Sequence, residues 1–342
     1  MLTGLLHKLT AREDLTTGEA ADAMLAIMSG AASPASIAAF LVALAMKGER
    51  PEEIVGFAET MRDQAVPFEA GGRDVFDTCG TGGDRSGTFN ISSASAIVMA
   101  ACGVPVAKHG NRSVSSRCGS ADVLEALGVN VSAAPATAER CLAEARIAFL
   151  FAPTFHPSMR HAAPTRRDLG LRTAFNLLGP LTNPARPKRQ IVGVPRPELT
   201  QLLARSLQLL GSERAWVVHG ADGVDEISPT GYTKVSECRA GSVRTFYLHP
   251  SDFGLRKVPL ETLAGGDAAE NAGIIRRVLA GEPGPARDAV LMNAAAGLFV
   301  CGHAASILDG VAMATAAVDA GRGTATLQHL AQVSQQAVGE PT

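Results

Sequence analysis

The sequence predicts a two-part protein: a small N-terminal helical domain over residues 1–70, then a larger α/β domain over 71–342 with a mostly parallel central sheet. Three observations carry that expectation. Residues 1–70 show helix punctuation without a strand pattern. From residue 71 onward, short β-prone runs alternate with glycine-rich turns and alanine-rich helices, the alternation that yields parallel strands with helices on their faces. The chain also has 342 residues, whereas a single hydrophobic core usually stops growing near ~250–300.

The helical part is read from its caps. Thr16-Thr17-Gly18-Glu19 fits a capping box ahead of Ala20–Met28, in which the first hydroxyl and the fourth carboxylate each satisfy an orphan backbone donor. Ser33-Pro34 places an N-cap before a proline at the first helical position. The helix Ala35–Met46 then ends at Lys47-Gly48. Its apolar residues run nearly all round, so burial on several sides is expected, within the domain or at a subunit interface. Pro51-Glu52-Glu53 opens a further helix with acids in its first turn.

In the second part, 74–78, 104–108, 148–151 and 215–218 read as strands, and 93–102 and 121–127 as helices. The stretch 166–178 reads as one more helix, bounded by Pro164 and Gly179-Pro180. It belongs to a segment, 155–182, expected to return and pack on the N-terminal helices.

Composition narrows the function. Hydrophobic residues make up 46% and charged residues 19%, enough to bury a sizeable core. A formal net charge of −2 gives no general attraction to nucleic acid or an anionic membrane, so neither is expected as a partner. The six cysteines are scattered with no Cys-x-x-Cys pair, which argues for reduced thiols over a disulfide framework or a zinc site. No basic segment followed by an apolar run opens the chain, and the longest apolar stretch, 35–46, is too short to span a bilayer. A soluble cytoplasmic protein is expected.

Three loops follow predicted strands and carry the chemistry. The first, Cys79-Gly80-Thr81-Gly82-Gly83-Asp84, leads through Phe89-Asn90-Ile91-Ser92-Ser93 into a helix. Its glycines permit positive φ and let amides converge on an anion, and the helix start adds further donors. Glycines alone fit a tight ligand-free turn equally well. The dinucleotide pattern G-x-G-x-x-G fails because Arg85 stands at its last position. The second loop, 108–117, gathers Lys108, His109, Asn111, Arg112, Arg117 and three serines around Gly110, a donor density suited to phosphate. Ser120 caps the next helix or contacts the ligand. The third loop, 219–228, contains Asp225-Glu226. Two acids in a turn are usually just solvated, but beside two anion loops they offer hard oxygens for Mg²⁺, which binds through one or two carboxylates and substrate phosphates.

Segments 77–84, 108–116 and 222–228 together resemble the signature segments of the anthranilate phosphoribosyltransferase family. The likeness extends to 155–159, 169–173, 176–181, 265–271 and 293–296. It implies transfer of phosphoribosyl from 5-phosphoribosyl 1-pyrophosphate to the amine of anthranilate, the second step of tryptophan biosynthesis from chorismate. It implies donor contacts at Gly80, Gly83, Asp84, Thr88, Asn90, Ile91, Ser92, Ser93, Lys108, His109, Gly110, Asn111, Arg112, Ser113, Val114, Ser115, Ser116 and Ser120. Anthranilate is placed near Gly80, Asn111 and Arg166, and Mg²⁺, as two ions, near Ser92, Asp225 and Glu226. A homodimer through the helical domain is implied too. His109 is a candidate proton acceptor, although an aromatic amine needs positioning more than a base. Cys118, Arg85 and Thr165 depart from the residues usual in that family. Two other readings compete: a pyrimidine nucleoside phosphorylase-like enzyme, and a non-catalytic nucleic-acid-binding relative.

Overall fold

The structure is a computed structural model in which residues 2–113 and 117–336 are described. Four helices come first: α1 (Leu2–Thr10), α2 (Thr17–Met28), α3 (Pro34–Lys47) and α4 (Pro51–Asp63). Their ends follow the caps read from sequence. The Thr16 hydroxyl accepts the Glu19 N–H at 3.2 Å, and the Glu19 carboxylate accepts the Thr16 N–H at 2.9 Å. Ser33 caps α3, and Gly48, at φ +91°, ends it. Helix α3 buries one face only, through Ile37, Phe40, Leu41 and Leu44, while Met46 is 71% exposed. The expected burial on several sides does not occur within one chain, because α3 packs on α1 and on the later segment 163–169, leaving its outer face open.

The rest of the chain runs β1 (Phe76–Thr78), α5 (Ile91–Ala101), β2 (Val106–Gly110), α6 (Ser120–Ala126), α7 (Pro135–Ala145), β3 (Ile147–Phe151), α8 (Ala152–Phe155), α9 (Ala163–Leu169), α10 (Phe175–Leu178), β4 (Arg189–Gly193), α11 (Leu199–Leu209), β5 (Arg214–Gly220), β6 (Thr233–Arg239) and β7 (Ser242–Leu248). Helices α12 (Ala268–Leu279), α13 (Pro285–Val300), α14 (Ile307–Asp319) and α15 (Arg322–Ser334) close it. The seven strands form one sheet in the order β3-β2-β1-β4-β5-β6-β7. The first five are mutually parallel, and β6 and β7 add an antiparallel hairpin. The sheet is therefore mostly parallel, as expected.

Side chains alternate across the strands, so the sheet separates two cores. Ile191, Trp216 and Val218 face α5, α13 and the outer helices. Val192, Ala215 and Val217 face α11, the N-terminal helices and residues 174–181. The Arg62 side chain donates to the Leu181 carbonyl at 2.6 Å, fastening α4 to that returning segment.

Several details depart from the sequence reading. The strands expected at 74–78 and 104–108 are 76–78 and 106–110. Strand β4, though central, was hidden by the prolines that flank it at 184, 187 and 195. The helix expected over 166–178 is broken: α9 stops at Gly170, at φ +59°, and α10 begins after the Asn176 side chain accepts the Thr173 N–H at 2.9 Å.

Because β1, β2 and β5 are parallel, the loops that follow them share one edge of the sheet, the usual ligand side of such folds. A buried network beneath that edge sets their spacing. Asp77, 1% exposed, accepts the His109 N–H at 3.2 Å and the Asn183 amide at 2.8 Å. The same amide group donates to the Ala107 carbonyl at 2.8 Å. Burial raises the Asp77 carboxyl to about 6, opposed by the nearby Lys108 charge. Replacing Asn183 by Ala strips a buried carboxylate and a strand carbonyl of their donor. Urea denaturation is expected to show a loss of about 2–4 kcal/mol, and a loss below about 1 kcal/mol would show that the network is not structural.

Candidate active site

The loop after β1 is shaped by what lies behind it. Gly82 and Gly83 take φ of +63° and +83°. The Gly82 N–H donates to Asp225 Oδ2 at 3.0 Å, and the Thr81 N–H to the Gly193 carbonyl at 2.9 Å. A Cβ on Gly80 would lie 2.8 Å from Asp225 Oδ2, and one on Gly193 would lie 1.6 Å from the Asp225 carbonyl oxygen. Glycine at both positions is what lets the acid-bearing loop close on the sheet. At the start of α5, the Ser92 N–H donates to Glu226 Oε1 at 3.1 Å. Asn293 on α13 holds the acids from below, exchanging hydrogen bonds with Ile227 at 3.0 and 2.9 Å.

These loops surround a cavity of about 530 Å³, a volume suited to a substrate-sized ligand. Gly80, Gly83, Asp84, Thr88, Asn90, Ser92, Lys108, His109, Gly110, Asn111, Arg112, Ser113, Ser120, Arg166, Asp225 and Glu226 all line it. Ile91 and Ser93 do not; both are 1% exposed and face the core, because the first turn of α5 directs only Ser92 at the opening. Val114, Ser115 and Ser116 lie outside the described residues.

The second loop is more internally committed than its composition suggests. Lys108 is buried and donates to the Thr78 carbonyl, with Ser92 Oγ at 3.4 Å. Arg112 forms ion pairs with Asp122 at 3.0 Å and Glu125 at 2.8 Å. His109 is 3% exposed, with Nδ1 at 2.8 Å from the Gly179 carbonyl. A carbonyl only accepts, so Nδ1 carries the proton, and buried Nε2 has no partner among the described residues. Burial first, and then His156 at a ring separation of 5.3 Å, depress the imidazole to about 3. A ring so reluctant to protonate is a poor proton acceptor, and His109 reads as a neutral wall of the cavity instead.

Sequence reasoning gave no role to Arg172, Asn176 or Asn271, which also line the cavity. Asn271 donates to Asn90 Oδ1 at 2.9 Å and accepts the Gly266 N–H at 2.8 Å, joining the start of α12 to that of α5. Gly265-Gly266 was the available signal, since a Cβ on Gly265 would sit 2.7 Å from the Phe89 backbone.

The electrostatics of the floor are one-sided. Burial is the first cause that raises both Asp225 and Glu226. Asp225 is raised next by Asp84, and Glu226, pushed up to about 8, next by Asp225. Asp225 accepts from the Gly82 amide and also meets the Asp84 side chain, Glu226 accepts from the Ser92 amide, and both line the cavity. No group of three or more His, Cys, Asp or Glu side chains among the described residues encloses an ion unaided. Carboxylates that repel each other at the floor of an open cavity suit a hard cation completed by ligand oxygens and water, and so fit Mg²⁺.

Residues 3–65 match the helical bundle domain of the glycosyl transferase family, and 72–324 match its a/b domain. The chain is 53% identical to anthranilate phosphoribosyltransferase of Moorella thermoacetica, over 96% of this chain and 97% of that one. The crystal structure of anthranilate phosphoribosyltransferase from Thermus thermophilus superposes with a TM-score of 0.91 at 44% identity, covering 97% of this chain and 99% of that one. The Saccharomyces cerevisiae enzyme, solved in complex with PRPP and Mg, superposes at 0.89 with 29% identity, covering 97% of each chain. The same yeast enzyme solved with 4-fluoroanthranilate superposes at 0.87 with 28% identity and the same coverage.

The raised carboxyls make stability depend on pH. A carboxyl whose folded pKa exceeds its unfolded value stabilises the fold below about pH 4 and loses that contribution as pH rises through the folded value. Here that window extends to about 8 for Glu226. Asp225→Asn removes one of the repelling charges while keeping the side-chain oxygen that accepts from Gly82. Its Tm in chelator is expected to exceed the parent's by about 2–4 °C at pH 8 and by less at pH 5. An equal or lower Tm at pH 8 would refute the account of a strained acid pair.

Proposed function

The chain belongs to the glycosyl transferase family that includes the anthranilate phosphoribosyltransferases, and we propose that it transfers phosphoribosyl from 5-phosphoribosyl 1-pyrophosphate to the amine of anthranilate. The observation that carries this reading is a cavity with two unlike ends of charge. Gly80–Asp84, Lys108 and the acid pair offer amides, a cation and metal-type oxygens to a magnesium-bound diphosphate. Arg166, partly buried, stacks over the Phe175 ring at 4.9 Å with no ion pair among the described residues. A guanidinium fixed in place without a counter-ion is matched by a planar carboxylate such as that of anthranilate.

In the reaction, the amine nitrogen bonds to C1 of the ribose as the C1–O bond to pyrophosphate breaks. Pyrophosphate leaves with the bonding pair, and the new nitrogen centre sheds its proton to solvent. Asp225, Glu226 and Ser92 would hold Mg²⁺, which when bound would supply positive charge to the leaving oxygens. Gly80 and Asn111 lie where they can flank the incoming ring, and the loop amides meet the departing charge without reorganising. Neutral His109 and Gly179 add a wall that brings no competing charge to the acceptor's carboxylate.

The same reading carries two Mg²⁺ ions, a homodimer and a cytoplasmic setting. The open apolar face of α3 supports pairing of chains through a helical domain spanning 1–70 with 155–182 packed on it. The six cysteines are free, and no helix among the described residues is long and apolar enough to cross a membrane. The nucleoside phosphorylase and nucleic-acid alternatives gain nothing from relatives about half identical across the chain.

The decisive assay mixes the protein with 5-phosphoribosyl 1-pyrophosphate, Mg²⁺ and anthranilate, and follows the loss of anthranilate fluorescence. Turnover that stops on chelation is expected; folded protein that leaves the fluorescence unchanged would sink the assignment. Arg166→Ala is expected to raise the anthranilate KM by about 10–100-fold while the donor KM moves less than about 3-fold. The reverse pattern would place Arg166 on the donor instead.

A further inference from the structure

We propose that Arg172 is a leaving-group clamp: it reaches from the segment between α9 and α10 across the cleft to the glycine loop and binds the pyrophosphate as it departs. The assignment rests on the phosphoribosyl-transfer reading for its ligand, and on the geometry of Gly83 for its place. A Cβ on Gly83 would lie 1.5 Å from Arg172 Nη1 and 2.7 Å from Cζ. The guanidinium therefore rests directly on the bare backbone of the loop, in space that any other residue at position 83 would fill.

Arg172 is also uncommitted. It lines the cavity, yet it makes no hydrogen bond or ion pair with another described residue. Its surroundings explain why that position awaits an anion. Desolvation lowers its pKa first, then Arg196; Arg85 acts in the same direction, against Asp225 and Asp84. Arg196 and Arg85 thus act on Arg172 as like charges, while Asp225 and Asp84 act on it as opposite ones. The anion with reason to arrive at Gly82–Asp84 is a diphosphate, because the amides and acid pair already prepare a cation–phosphate site there. Charge on the leaving oxygen grows as the C1–O bond breaks, so a fork on that group acts more strongly on the transition state than on the bound donor.

Arg172 also differs from its neighbours in where it is mounted. Segment 163–178 packs on α3 and α4, whereas the glycine loop belongs to the sheet. An arginine reaching from one to the other links occupancy of the diphosphate end to the closeness of the two sides. Arg166 on the same segment lies over Phe175 and serves the acceptor, so the two arginines divide the substrates between them.

The test uses inorganic pyrophosphate as probe, in calorimetric titrations with Mg²⁺ on the full chain. Arg172→Ala is expected to weaken pyrophosphate binding by about 10-fold or more, and Arg172→Lys to recover part of it, since an ammonium restores the charge without the fork. Arg167→Ala, an exposed neighbour that does not line the cavity, should bind as the parent does. In turnover, Arg172→Ala should lower kcat and leave the anthranilate KM within about 3-fold. Unchanged pyrophosphate binding, or a loss matched by Arg167→Ala, overturns the proposal. So does a rise in anthranilate KM with pyrophosphate binding intact, which would move Arg172 to the acceptor end. Should the parent bind pyrophosphate yet never consume anthranilate, the transferase reading fails while the titrations still decide the place of Arg172.

Discussion

Burying Asp225 and Glu226 side by side is the constraint on which the rest of the site depends. Two adjacent carboxylates, Asp225 raised by burial and then by Asp84, Glu226 by burial and then by Asp225, persist only where their oxygens find donors. The fold supplies one backbone amide to each, from Gly82 and from Ser92. Those amides sit at two points of the β1–α5 crossover, the glycine loop and the start of α5, so the acid pair stitches both to the loop after β5. Both carboxyls also line the cavity, where a cation would balance the charge that the amides do not. A fully neutralised floor would be more stable and would have nothing left to offer a metal.

The glycines follow from this constraint as much as from any phosphate. Gly80 and Gly193 are small because Asp225 lies against them, Gly265 because Asn271 and the Phe89 backbone do, and Gly83, held at φ +83°, leaves the space that Arg172 enters. A glycine-rich loop is commonly read as a cradle whose amides point at an anion. Here the same residues first admit neighbouring side chains, and the anion site is what remains when those side chains are in place. That is why three glycines in sequence said so little by themselves, and why the cationic loop and the acid pair were needed to interpret them.

Legibility in the sequence varied with the range of the forces involved. Caps at Thr16, Ser33 and Gly48 were readable because each is settled within four residues. The three ligand loops were readable because their polar density has few structural uses. Strand β4 was not, since the prolines around it disguise a run buried only by its place between β1 and β5. The hairpin β6–β7 was missed for the opposite reason: β7 is largely exposed, so no apolar alternation announces it, and its two-residue turn shows only as positive φ at Ala240 and Gly241. His109 looked like a base from its loop, and only the Gly179 carbonyl and the facing His156 reveal a buried neutral ring. Arg172, Asn176 and Asn271 had no sequence signal of their own beyond family likeness, because their importance lies in what they touch across the cleft.

The broken helix at 166–178 shows how such an error bears on function. Had that stretch been continuous, residues 166 and 172 would be six positions apart on a helix of about 3.6 residues per turn, so their side chains would point about 120° apart. Both could not then face one cavity. The break at Gly170 and the restart organised by Asn176 turn the chain between them, and both arginines line the same space. The interruption costs several helical hydrogen bonds, which the packing of Ala174, Phe175, Leu177 and Leu178 into the core shared with the N-terminal helices offsets. Apolar residues in this segment thus anchor it to the helical side while its two arginines point at the sheet side. A pattern scored for helix alone sees the anchors and misses the turn that aims the charges.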